Sequence, residues 1–173
     1  MVPVIETERV RLRSAAAGDF HPWMRILNDP EVYRHLGGPL GREDVWRKLL
    51  GATALWAFLG YGYWAVERLK DGKLIGLCGF ADFKRDMQPS IDGLPEMGWI
   101  FASEVHGQGY ASEATVAAML WADDALKGQE FTAIISPANQ PSIKLAERLG
   151  FTGREDARYK DEPILLFRRP ARS

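Results

Sequence analysis

Cysteine is nearly absent: Cys78 is the only one in 173 residues. An internal disulfide is therefore excluded, and the composition suits a reducing, cytoplasmic compartment. Cys78 lies in an apolar run and reads as a small buried hydrophobe. A surplus of either charge is also missing, with 22 Lys and Arg against 23 Asp and Glu for a net charge of -1. That balance argues against a protein that holds nucleic acid by bulk electrostatics. No spacing of His, Cys and carboxylates suggests a metal site. The stretch from Met1 to Arg13 is charged early and has no apolar signal core. No repeat, low-complexity tract or linker interrupts the chain. The one long uncharged stretch, Leu49 to Val66, is about as long as the shortest membrane-spanning helix. Gly51, Gly60 and Gly62 break it, and its second half is aromatic and β-branched. It reads as a helix end, a glycine stop and a strand start, so no membrane association is expected.

What is present is an ordinary globular composition, long enough for one domain, residues 1–173, with a real core. Val10 to Arg13 alternates as a half-buried strand does. Asp19 is expected to cap a helix ending near Leu27, stopped by Asn28-Asp29-Pro30. A short helical piece near Glu31 to Leu36 follows, then a longer helix from about Arg42 to Leu59 with Val45, Leu49, Ala52 and Trp56 at helical spacing. Strands over 63–69 and 73–83 are joined by Asp71-Gly72, a hairpin signal. Residues 84–94 are poor in apolar side chains and read as a loop. The last third predicts a strand over 131–135, a helix from Pro141 to Gly150, and strands over 151–156 and 164–168. This order predicts an α+β domain with a mixed, mostly antiparallel sheet.

The chain is organised around residues 96–115. A short apolar-aromatic run, Met97-Gly98-Trp99-Ile100-Phe101, reads as a buried strand. A turn, His106-Gly107-Gln108-Gly109-Tyr110-Ala111, leads into a helix from Ser112 to about Leu126. Strand, glycine turn and helix in that order leave bare N–H groups at a helix N-terminus, which attract phosphate. The turn has no lysine, so it is not a nucleotide-triphosphate loop, and Ser112 stands where a dinucleotide fingerprint needs its third glycine. The string E-M-G-W-I…G-Q-G-Y-A-S-E-A resembles the pyrophosphate loop of the GNAT acetyltransferases, in the ribosomal-protein N-terminal (RimJ/RimL-like) branch. Gly109 and Ala111 fill the last two positions of its pattern, and His106 stands where Gln or Arg is usual. Glu6 to Arg13, Asn28 to Val32, Asp71 to Gly76 and Leu149-Gly150-Phe151 look like the same branch, so the likeness covers nearly the whole chain. It implies the three-layer acyl-CoA N-acyltransferase fold, with a six- to seven-stranded sheet flanked by helices.

The resemblance further implies acetyl-CoA as acyl donor and a primary amine as acceptor, with a protein or peptide N-terminal α-amine as the first expectation. Backbone donors from Gly107 through Gln108, Gly109 and Tyr110 to Ala111, beside His106, would hold the diphosphate. The main chain of Ile100 and Phe101 would pair with the pantetheine arm as an added strand does, and plain core packing accounts for their side chains equally well. Asn139 and Ser142 match the family's N-x-x-S…L-G-F pattern, Asn139 towards pantetheine and Ser142 as proton donor to the leaving sulfur. They are also good helix-capping residues. The tyrosine many relatives use as acid is Ala146 here. Glu96 is the candidate base, acting through water, or a strand-end carboxylate in solvent, with Asp82 and Glu67 in reserve. His21 and His35 read as surface or packing residues. Lys144 and Arg148 form a charged helix face that could also reach a ribose phosphate. Residues near Tyr33, His35 and Leu36, with 56–63 and 84–94, are expected to line the acceptor channel. A homodimer is compatible with the resemblance. Small-amine acetylation and a CoA-binding module without turnover are the alternative readings.

Overall fold

The computed structural model describes residues 1–172. In chain order the elements are β1 (Ile5–Glu6), β2 (Val10–Arg13), α1 (Phe20–Leu27), α2 (Pro30–Tyr33), α3 (Arg42–Leu59), β3 (Tyr63–Arg68) and β4 (Lys73–Ala81). Then come β5 (Met87–Gln88), β6 (Glu96–Phe101), α4 (Tyr110–Ala125), β7 (Phe131–Ile135), α5 (Gln140–Arg148), β8 (Gly153–Tyr159) and β9 (Glu162–Arg169). Pairing is antiparallel for β1–β2, β2–β3, β3–β4, β5–β8, β7–β9 and β8–β9, and parallel for β6–β7. The fold is α+β, with the mixed, mostly antiparallel sheet flanked by helices. The chain divides into two compact units, Met1–Gly79 with Trp99–Ala117, and Phe80–Gly98 with residues 118–172.

In the first unit the alternation of β2 is realised residue by residue. Val10 and Leu12 are fully buried, while Arg11 and Arg13 turn to the other face. There they pair with Glu67 of β3 at 3.0 and 2.8 Å, Arg11 adding Glu6 and Arg13 adding Asp19. Trp23, Ile26 and Leu27 of α1 pack with Val45, Leu49 and Ala52 of α3 and with Ala65 and Leu77 of the strands. Asp19 precedes α1 without capping it. Its carboxylate accepts from Arg13 through both oxygens and from the Ala16 N–H, because a guanidinium fork is a stronger partner than one helix amide. The uncharged stretch resolves as α3, a left-handed Gly60 and β3. No helix of the described residues is long and apolar enough to cross a membrane. Gly79 is required by close approach: a Cβ there would lie 2.2 Å from the Gly62 carbonyl oxygen.

In the second unit β7 lies against β9, β9 against β8, and β8 against β5. Phe80 and Phe131 pack at 5.4 Å between ring centres, tilted by 53°, with Phe151 and Phe167 also fully buried. Arg169 is 2% exposed, yet every side of it is answered. It donates to both Asp123 oxygens at 2.6 and 2.8 Å and to the Leu149 carbonyl at 2.9 Å. Two expectations shift here. The stretch read as a loop over 84–94 contains β5, and the final hairpin extends to its turn at Lys160-Asp161, both with positive φ. β8 runs from Gly153 to Tyr159, three residues past the expected end at Asp156, through an exposed Arg158 that gives no apolar signal.

Candidate active site

The strand–turn–helix order holds in the first unit. β6 ends at Phe101, a 3-10 turn spans Ser103–Val105, and α4 starts at Tyr110, two residues before the expected Ser112. Gly107 and Gly109 have φ of +72° and +82°, values that L side chains rarely adopt. His106 to Gly109 are exposed, and nothing stands within 4 Å of where a Cβ on Gly107 would point. Exposed backbone with no side chain over Gly107, ahead of a 16-residue helix, suits an anion that must come close to N–H groups.

The loop is braced from a direction the sequence did not show. Arg9, just before β2, donates from Nη1 to the Gln108 carbonyl at 2.9 Å and lies 4.4 Å over the Tyr110 ring. Its Nε donates to Glu113 at 2.6 Å, and its own N–H donates to the same carboxylate at 2.8 Å. Thr7 Oγ1 adds a third bond to Glu113 at 2.6 Å. Burial pushes the Glu113 carboxyl up, but the bonds from Thr7 and Arg9 outweigh it and hold the group below the usual carboxylate range. The Gln108 side chain donates to the Glu104 carbonyl at 2.8 Å. The His106 ring Nε2 lies 2.9 Å from the Phe101 carbonyl. The ring and that carbonyl thus engage each other, leaving the main chain of His106 as its contribution to the loop. Asp29, capping α2, also accepts from the Ser103 hydroxyl, which with the Glu31 amide lowers its pKa.

Glu96, Asp82, Asn139 and Ser142 lie in the second unit, and Glu67 in the first. Glu96 is 4% exposed, so it is not a carboxylate in solvent. Arg85 grips both its oxygens, Nε at 2.6 Å and Nη2 at 2.8 Å, while lying 4.8 Å over the rings of Phe83 and Tyr159. The reserves are engaged as well. Asp82 accepts from the Lys84 ammonium at 2.6 Å and the Gly93 N–H at 3.0 Å, and Glu67 is held by Arg11 and Arg13. Asn139 is the N-cap of α5, its side chain accepting from the Ser142 N–H at 3.3 Å. Ala146, at the relatives' tyrosine position, is fully buried.

The acetyltransferase (GNAT) domain family matches residues 9–152. The chain belongs to the GNAT acetyltransferase family. It is an acetyl-CoA-dependent acyltransferase. A chain assigned to the GnaT-family acetyltransferases from Bordetella pertussis is 29% identical, with a TM-score of 0.86 over 97% of this chain and 99% of that one. The uncharacterized N-acetyltransferase p20 of Bacillus licheniformis is 26% identical over 147 residues, 84% of this chain and 80% of its own length. RimL, a ribosomal L7/L12 alpha-N-protein acetyltransferase solved in complex with coenzyme A, shares the fold at 17% identity, with a TM-score of 0.76 over 98% of each chain.

Proposed function

We propose that residues 1–173 act as one N-acetyltransferase domain that transfers acetyl from acetyl-CoA to the α-amine of a protein or peptide N-terminus, by direct attack in a ternary complex. The observation that carries this reading is the saturation of the base candidates: Glu96 is bound through both oxygens by Arg85, and Asp82 and Glu67 are ion-paired. Oxygens already accepting from a guanidinium or an ammonium have fewer lone pairs left to offer an acceptor amine. An α-amine has a pKa of about 7.7–8.0 and is roughly half neutral at pH 8, whereas a lysine ammonium near 10.4 is under about 1% neutral there. A site whose carboxylate oxygens are already engaged therefore favours the amine that is neutral without help. The E-M-G-W-I…G-Q-G-Y-A-S-E-A string and the fold shared with RimL support the same branch.

Bound acetyl-CoA supplies the thioester carbon that the amine attacks, so that a C–N bond replaces the C–S bond. The N–H groups from Gly107 to Ala111 hold its diphosphate, aided by the dipole of α4. The main chain at Ile100 and Phe101 and the Asn139 side chain serve the pantetheine arm. Glu96, whose oxygens accept from Arg85, takes the amine proton through water. Ser142 serves the departing sulfur; a thiol of pKa about 8.5 needs little help to leave. The lone Cys78, buried, with its thiol pushed up by desolvation, suits a reducing cytoplasmic setting.

The test is thiol release from acetyl-CoA against three acceptor sets: peptides with free N-termini, the same peptides N-blocked but carrying lysine, and small primary amines. Turnover with the first set is expected. Turnover confined to N-blocked lysine peptides or to small amines contradicts the proposal.

A further inference from the structure

We infer that Arg9 is a positioning residue for the diphosphate loop, orienting the Gln108–Gly109 peptide and neutralising Glu113 so that the loop offers an anion N–H groups without a free negative charge. This inference rests on the reading of residues 106–111 as the diphosphate loop.

The first half of the inference is peptide geometry. In a trans peptide the C=O and N–H point to opposite sides. Arg9 Nη1 holds the Gln108 oxygen at 2.9 Å, so the N–H of Gly109 is turned to the far side of that plane. The positive φ of Gly109 lets the chain continue from there into α4. A Cβ on Gly109 would lie 3.2 Å from Arg9 Nη2, so the arginine also packs directly beneath the turn. The guanidinium over Tyr110 fixes the first residue of the helix in the same way.

The second half is charge. Glu113 sits in the first turn of α4, where a carboxylate suits the helix dipole but repels a second anion arriving at the same end. Arg9 meets it with Nε and its own N–H, and Thr7 with a hydroxyl. One arginine thus bridges the carboxylate and the loop carbonyl, which the compact ammonium of a lysine cannot do. These partners stand 99 and 104 residues along the chain, so the contacts exist only in the folded protein.

The experiment measures acetyl-CoA KM and kcat, CoA Kd by calorimetry and the melting midpoint. It compares wild type, Arg9→Ala, Arg9→Lys and the Arg9→Ala/Glu113→Gln pair. Arg9→Ala is expected to raise KM and Kd about tenfold, the scale of one lost charge-assisted hydrogen bond, with kcat at saturation within about twofold. Arg9→Lys keeps the charge but not the fork and should still weaken binding about threefold. Glu113→Gln in the Arg9→Ala background should recover at least about threefold of the lost affinity, since the uncovered charge is gone. A brace that is only structural would lower the midpoint and leave KM and Kd where they were. A folded Arg9→Ala protein with wild-type KM and Kd overturns the inference, as does a pair with no recovery. If Arg9→Ala does not fold, wild-type affinity in Arg9→Lys overturns it instead. Wild-type protein with no affinity for CoA refutes the loop reading itself, and this inference with it.

Discussion

Replacing Arg85 with alanine isolates the Glu96 contact. Both oxygens of Glu96 are met by Arg85 at 2.6 and 2.8 Å, and the two side chains are 5% and 19% exposed. Removing one partner of such a pair strands the other, a change worth about 3–5 kcal/mol in a fully buried site. Some exposure of Arg85 pulls the figure to the lower end. Loss of its stacking over Phe83 and Tyr159 adds about 0.5–1 kcal/mol for each ring. A total near 4 kcal/mol, with a urea slope of about 2 kcal/mol per molar, lowers the unfolding midpoint by about 2 M. Denaturation of wild type, Arg85→Ala, Glu96→Gln and the double variant, followed by tryptophan fluorescence and circular dichroism, gives the cycle. The double variant should cost at least about 1.5 kcal/mol less than the two single losses summed. A midpoint shift below about 0.3 M for Arg85→Ala, or additive losses, would refute the account of a buried, mutually dependent pair.

Gly109→Asp should abolish calorimetric binding of CoA, because it adds a charge and a side chain where φ is +82°; unimpaired binding would contradict the loop assignment. Glu96→Gln should lower kcat at neutral pH and recover part of it at high pH, where the acceptor amine is already neutral; an unchanged pH profile removes Glu96 from the proton path. Asn139→Ala should cost about 1 kcal/mol of stability through the lost cap of α5, read from the urea midpoint, and weaken CoA as well if the side chain also serves pantetheine. Asp71, held at about 2 by Arg68, gives a pH-dependent term. A depressed carboxylate stabilises above its unfolded pKa and loses that as pH falls through its folded one. Asp71→Asn should therefore flatten the stability curve between about pH 4 and 2, and a curve as steep as wild type would argue against the pair.

The parts of the fold that were legible had a local cause. α3 runs over Arg42–Leu59 as its apolar spacing predicts, and the glycine that stops it is left-handed in the structure. The turn before α4 likewise takes its shape from Gly107 and Gly109, whose positions the sequence prints. What stayed hidden depends on partners distant in the chain. Asp19 looks like a cap until Arg13 is brought beside it. The role of Arg9 is invisible in the sequence, since neither Gln108 nor Glu113 lies near it along the chain. Arg85, the partner of Glu96, sits in a stretch whose polarity reads only as loop. The strand expected over 151–156 runs on to Tyr159 in β8, because Ala157, Arg158 and Tyr159 are held by pairing with β9 rather than by burial of their own side chains.

The account turns on where coenzyme A puts its two phosphates. Amide proton shifts of the labelled protein, followed during titration with CoA, test that most directly. The largest changes are expected at the N–H groups of Gly107 through Ala111, saturating together with the calorimetric isotherm. Saturable binding that leaves those amides unmoved would contradict the account.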